Sequence, residues 1–117
     1  MTLNEALLEA GVDLEVTMRR FGGNAALLER FIKKLPEEPT FSALTAAVEK
    51  KSCPEIEKTA HTLKGIAANL GFQEMSDLCA ALVSAVREDR TETLEEHYQA
   101  LAEEHRRISG LIHQITE

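Results

Sequence analysis

Hydrophobic residues recur every three or four positions along most of the chain, which is the spacing of an α-helix that buries one face. The clearest stripe predicts one long helix over residues 52–70. Ser52 and Glu55 form a capping-box pattern at its start, and Gly71 stands where a left-handed residue commonly ends a helix. The apolar positions of this stripe are Ile56, Ala60, Leu63, Ala67 and Leu70.

The segment before this helix predicts shorter helices. Asp13 can cap one that runs towards Arg20, and Asn24, at the end of a Phe-Gly-Gly-Asn break, can cap the next. Pro36 and Pro39 interrupt the pattern that follows, because each proline removes a backbone donor, so one kinked helix or two abutting helices fit. The apolar positions are Leu27, Leu28, Phe31, Leu35, Phe41, Leu44, Ala47 and Val48.

Two more helices are predicted after Gly71. The first begins near Gln73, and a polar run at 88–91 separates it from a last helix that extends to Glu117. No stretch shows the alternation of a strand, so the prediction is all-α: a single domain over residues 1–117, built as an antiparallel four-helix bundle with short additional N-terminal helices. The apolar positions are Met75, Leu78, Leu82, Val86, Leu94, Tyr98, Leu101, Ile108, Leu111 and Ile115.

The composition limits the classes of function. The chain has 117 residues, enough for one domain, and 13 Lys and Arg against 20 Asp and Glu give a formal net charge of -7. We expect no binding to nucleic acid, because neutralising phosphates needs a basic surface. No apolar run approaches the roughly 20 residues that span a bilayer, and the start lacks the features of a signal peptide, which predicts a cytoplasmic chain without membrane contact. Cys53 and Cys79 have no metal-ligand spacing and are expected to be reduced.

The candidate chemistry lies in the middle of the 52–70 helix. Residues three and four positions after His61 lie on its own face, so Lys64 and Gly65 are its neighbours. His61 is about 100° around the helix from Ala60 and is therefore expected at or beyond the margin of the buried stripe. An imidazole, with an ordinary pKa of about 6.5, has a free nitrogen lone pair at neutral pH and needs no separate base to act as a nucleophile.

Phosphorus is the electrophile that the neighbours of His61 favour. A phosphoryl group on the ring would carry about -1.5 to -2 charges, and His61 is too far from either helix end for the helix dipole to help, so Lys64 would supply the counter-charge. Gly65 has no side chain and Ala68 keeps the surface low, so a second protein could bring its phosphoryl group close. Close packing of helices is the alternative explanation for Gly65.

The string Ala-His-x-Leu-Lys-Gly-x-x-x-x-Leu-Gly at 60–71 resembles the histidine-containing phosphotransfer (HPt) domain family. The N-terminal half is also similar to that family, in Gly-Val-Asp at 11–13, Arg-Phe-Gly-Gly-Asn at 20–24, Leu-Leu at 27–28 and Phe31. The resemblance implies a four-helix bundle whose exposed histidine takes a phosphoryl group from an aspartyl phosphate on one receiver domain and passes it to another. It implies that His61 is the phospho-acceptor, Lys64 the phosphate stabiliser and Gly65 the point of partner approach.

The same resemblance implies the partners. These are response-regulator receiver domains, one of them a candidate part of a hybrid sensor histidine kinase, and we expect Mg²⁺ in the partner receiver with no cofactor or metal bound by this chain. The chain itself is expected to be a monomer and no autonomous kinase, because it has no nucleotide-binding signature. Whether it is freestanding or a domain of a hybrid kinase is left open.

The positions around His61 depart from the family in one respect. Some members carry a glutamine or glutamate on the adjoining helix that hydrogen-bonds the histidine ring, and the aligned position here is Val83. Glu57, one turn before His61, is a candidate for orienting the ring or contacting the partner, although its charge opposes a phosphoryl group. Phe72 is either an apolar docking contact or a residue that plugs the end of the bundle.

Two other functions fit the same sequence. One is a helical adaptor that binds a partner through the His61 face without covalent chemistry, and the other is the phospho-accepting module of a chemotaxis-type kinase. A metal site is not expected, since His97, His105 and His113 are eight residues apart and therefore rotated by about 80° from one to the next. These three histidines are predicted to lie on the surface.

Overall fold

The protein is a bundle of helices, as predicted. A computed structural model describes residues 1–116, and Glu117, the end of the predicted domain and last helix, lies outside this range. Within 1–116 no strand occurs. The α-helices are α1 (Leu3–Glu9), α2 (Leu14–Arg20), α3 (Ala25–Lys34), α4 (Pro39–Glu49), α5 (Cys53–Leu70), α6 (Gln73–Arg87) and α7 (Leu94–His113), with 3-10 turns at Leu35–Glu37 and Thr91–Thr93.

Helices α4 to α7 form the bundle, and the shorter α1 to α3 cover it. The most extensive packing is between α5 and α6, and α5 also packs on α4 while α6 packs on α7. Helix α1 lies against α7, and α2 and α3 lie against α5. One hydrophobic core runs through these helices, and it includes the whole predicted stripe of α5. No helix in residues 1–116 is long and apolar enough to cross a membrane.

The prolines divide the segment before α5 into two helices. Pro36 lies in the 3-10 turn, and Pro39 is the first residue of α4, where a missing N–H leaves no bond unmade. The carboxylate of Glu38 accepts a hydrogen bond of 2.9 Å from the Thr40 N–H and caps α4. Of the two alternatives, the pair of abutting helices is therefore the correct one.

The two ends of α5 differ in how well they were predicted. Gly71 ends the helix in the left-handed conformation, with φ of 90°, as expected. The capping box predicted for Ser52 and Glu55 is wrong, because the Ser52 side chain makes no capping bond. The Ser52 N–H, which a capping box needs, donates instead to the Ala47 carbonyl at the end of α4. A complete capping box occurs at Thr2, at the start of α1.

Three further predictions about α3 and α7 are corrected. Phe31 is 44% exposed, because α3 faces the core through Leu28 and Ile32. His105 is only 8% exposed and stacks on Phe41 with 3.9 Å between ring centroids, so the prediction of a surface histidine is wrong there. Its burial lowers the pKa of the imidazole. Helix α7 stops at His113, short of the predicted Glu117, and beyond it the Thr116 N–H donates to the Met1 carbonyl.

Candidate functional site

His61 stands on the outer face of α5, halfway along the helix. Ala60 beside it is fully buried, and His61 is exposed, as its angle from the apolar stripe predicted. Within residues 1–116 the ring makes no hydrogen bond, so its nitrogens are open to an incoming group. The packing of α5 between α4 and α6 fixes the backbone beneath the ring, which means that the imidazole projects from a rigid support.

Lys64 and Gly65 lie one turn after His61 on the same helix face. Lys64 is half-buried, and its positive charge lowers the pKa of the Cys79 thiol on α6. Burial nevertheless raises the pKa of that thiol to about 12, so Cys79 stays protonated and inert. Lys64 therefore places a positive charge close to His61, and no carboxylate in the described part of the chain forms an ion pair with it.

Gly65 is exposed and leaves an open surface. A Cβ placed on it would meet no atom of residues 1–116 within 4 Å. Close packing of helices, the alternative explanation for this glycine, is thus wrong. Ala68, one turn further on, is half-buried and adds no more than a methyl group to the same face. The surface beside His61 is low enough for another protein to reach the ring.

Neither of the two positions considered for orienting the imidazole, Val83 and Glu57, gives the ring a hydrogen bond. Val83 is 6% exposed and packs in the core, so it offers the ring no polar group. The carboxylate of Glu57 accepts a hydrogen bond of 2.9 Å from Nε of Arg87, on α6, and makes no bond to His61. The orienting role considered for Glu57 is therefore not seen.

Arg87 belongs to the site although the sequence reasoning missed it. Together with Pro54, Glu57, Lys58 and His61 it lines a shallow depression of about 210 Å³. Its place depends on the register between α5 and α6. That register could have been deduced from the tight turn at 71–72, which pairs residues equally distant from it along the two helices.

Phe72 is not a docking contact. Its side chain is only 1% exposed and belongs to the hydrophobic core, at the turn between α5 and α6. Of the two roles predicted for it, the plug at the end of the bundle is the correct one. An exposed aromatic ring is found on α3 instead, where Phe31 borders an apolar groove of about 310 Å³ together with Ile66 of α5.

The C-terminal end of α5 is tied to α2 by a cation. Nη1 of Arg20 donates to the carbonyl oxygens of Ala68 and Asn69, at 3.1 and 2.9 Å. These carbonyls lie in the last turn, where a helix lacks partners for its acceptors and carries partial negative charge. Arg20 therefore stabilises the half of α5 that carries Gly65 and Ala68.

Taken together, these residues form one exposed face in the middle of α5. The site has an exposed nucleophile, a cation and an open surface, and residues 1–116 contain no cluster of three or more His, Cys, Asp or Glu that could hold a metal ion. A family model described as the Hpt domain matches residues 26–114, a span that contains α5 and the whole bundle. No curated protein and no solved structure matches the chain.

Proposed function

Because the chain belongs to the histidine-containing phosphotransfer domain family, we propose that His61 accepts a phosphoryl group from the aspartyl phosphate of one receiver domain and passes it to another. The observation that carries this proposal is the exposed His61 with Lys64 and Gly65 beside it on one rigid helix face. The domain is then both substrate and product of the relay. Receiver domains supply the acidic residues and the Mg²⁺ that neutralise the phosphoryl oxygens.

The transfer is a displacement at phosphorus. The lone pair of one ring nitrogen of neutral His61 attacks, a P–N bond forms, and the P–O bond to the aspartyl carboxylate breaks, with its electron pair leaving on the carboxylate. The other ring nitrogen keeps its proton during the step and afterwards releases it to water. Transfer to the second receiver reverses these changes, and the imidazole recovers its lone pair.

Following label from a phosphorylated receiver domain tests the proposal. Label should appear on the chain as an acid-labile, base-stable phosphate, which is the behaviour of phosphohistidine. A helical adaptor that binds through the same face without covalent chemistry would retain the receiver and take no label. Label that is stable in acid would also contradict the proposal, because it would lie on a hydroxyl group.

Lys64→Ala is expected to slow transfer about tenfold, because it removes a charge-assisted contact to the phosphoryl group. Lys64→Arg should retain most of the rate. The thermal midpoint should change little, since Lys64 makes no ion pair within residues 1–116. Initial rates of label transfer check this, with Lys50→Ala, an exposed lysine at the end of α4, as the control. Equal losses in both alanine variants would assign the effect to net charge alone.

Gly65→Ala is expected to separate stability from function. The free energy of unfolding should rise by about 1 kcal/mol, since alanine favours a helix and nothing lies within 4 Å of the new methyl group. The transfer rate should fall, because that methyl group stands where the receiver approaches, and Gly65→Gln should slow transfer further. Chemical denaturation and label transfer measure the two effects.

The matched control for this variant is Gly110→Ala. Gly110 is also an exposed glycine inside a helix, α7, and a Cβ there also meets nothing within 4 Å. It should give the same gain in stability with an unchanged rate of transfer. A Gly65→Ala variant that transfers as fast as Gly110→Ala would show that Gly65 has no part in partner approach.

A further inference from the structure

The depression beside His61 carries a pair of opposite charges from two helices. Nε of Arg87 on α6 lies 2.9 Å from Oε2 of Glu57 on α5. Both side chains line the same depression as the ring of His61. We propose that Arg87 is a phosphate-binding residue that leaves Glu57 for the phosphoryl group when His61 is phosphorylated. This inference rests on the proposed function, since it concerns the phosphorylated state of the same site.

The direction of the two helices brings Arg87 towards the ring. Helices α5 and α6 run antiparallel from the turn at Gly71, and the contact between Glu57 and Arg87 shows how they are aligned. One turn from this pair, along each helix towards that turn, come His61 and Val83. Side chains on a helix lean towards its N-terminus, so the stem of Arg87 leans towards the level of His61.

The charges favour this exchange of partners. The side chains of Arg87 and Glu57 are 61% and 36% exposed, and an ion pair in such a position is weak, because water competes for both groups. A phosphoryl group carries up to two charges and can accept two parallel bonds from a planar guanidinium, whereas Glu57 carries one charge. In the unmodified protein Glu57 thus holds the guanidinium at the edge of the site.

This arrangement also explains how a carboxylate can stand one turn from a phosphorylated histidine. While Glu57 is paired with Arg87, the two charges cancel near His61. After phosphorylation the guanidinium lies between the carboxylate and the phosphoryl group and screens one from the other. With Lys64 on the following turn, the phosphoryl group would have a cation on each side along the helix axis.

Two substitutions that remove the same ion pair provide the test. The chain is phosphorylated with phosphoramidate, a small donor, so that no receiver domain contacts the site. The ³¹P signal of phosphorylated His61 is identified by its absence from His61→Ala, and its chemical shift is measured as a function of pH. In Arg87→Gln the midpoint of the phosphoryl titration should rise by about 0.5 pH unit, because a cation beside the group favours its dianion. In Glu57→Gln the midpoint should stay or fall, since the guanidinium remains and a negative charge is gone.

The outcomes distinguish this inference from the proposed function. Equal rises in Arg87→Gln and Glu57→Gln would overturn the inference, because the ion pair would then act only as structure. So would a midpoint in Arg87→Gln equal to that in Arg19→Gln, which removes an exposed arginine paired with Glu15 on α2. In either case transfer of label from a receiver to His61 would leave the proposed function standing. A wild-type chain that shows no ³¹P signal from His61 and takes no label from a receiver would overturn both.

Discussion

A His61→Ala variant is expected to take no label from a phosphorylated receiver domain under conditions in which the wild-type chain takes it. The ring supplies the nucleophile, because an imidazole nitrogen with a free lone pair can attack phosphorus. The fold should be unaffected, because the exposed ring makes no hydrogen bond within residues 1–116 and alanine favours a helix. Label transfer measures the first effect, and circular dichroism with thermal unfolding measures the second. The change in unfolding free energy should stay within about 0.5 kcal/mol.

His113→Ala is the matched control for this loss. His113 is also exposed and lies in the last turn of α7, outside the site. It should accept label at the wild-type rate. Label that arrives equally on His61→Ala and on the wild-type chain would contradict the assignment of the phospho-acceptor. A receiver retained equally by both chains, with label on neither, would point to the adaptor function.

The core of α5 could be predicted because its signals are local. The apolar stripe, the position of His61 beside it and the glycine at its end all follow from the 3.6-residue period and the backbone freedom of glycine. His61, Lys64 and Gly65 share one helix, so their neighbourhood needs no knowledge of other helices. Arg87 could not be found in this way, since its contact with Glu57 depends on how α6 is aligned against α5.

The exposure of Phe31 and of His105 was predicted wrongly for different reasons, and for Phe72 the sequence allowed two roles. In α3 the positions Leu28 and Ile32 face the core, and this choice of face turns Phe31 to the surface. The hydrophobic periodicity alone allowed either of two adjacent faces of α3 to turn towards the core. His105 lies on the apolar stripe of α7, four residues after Leu101, which was the signal for its burial. Phe72 follows Gly71, and only the packing of the turn shows that its ring enters the core.

The second large effect is a loss of stability, expected on substitution of Gly71, which ends α5 beside residues of the N-terminal segment. Gly71 has φ of 90°, and a Cβ there would lie 2.5 Å from Oγ1 of Thr17 and 2.8 Å from Cγ1 of Val12. Both neighbours are buried, so neither can move aside freely. Gly71→Ala should therefore lower the free energy of unfolding by about 3 kcal/mol, from the left-handed backbone and the overpacking together. Denaturation with urea measures this loss.

Gly23→Ala separates the two causes of that loss. Gly23 also has a positive φ, of 77°, but nothing lies within 4 Å of a Cβ placed on it. Its variant should lose only about 1 kcal/mol, from the backbone alone, so the difference between the two variants measures the contact of α5 with Val12 and Thr17. A Gly71→Ala variant no less stable than Gly23→Ala would show that this contact yields without strain. Gly71 lies ten residues from His61, so the folded fraction of Gly71→Ala should still accept label. The substitution would then lower the stability of the bundle without impairing phosphoryl transfer.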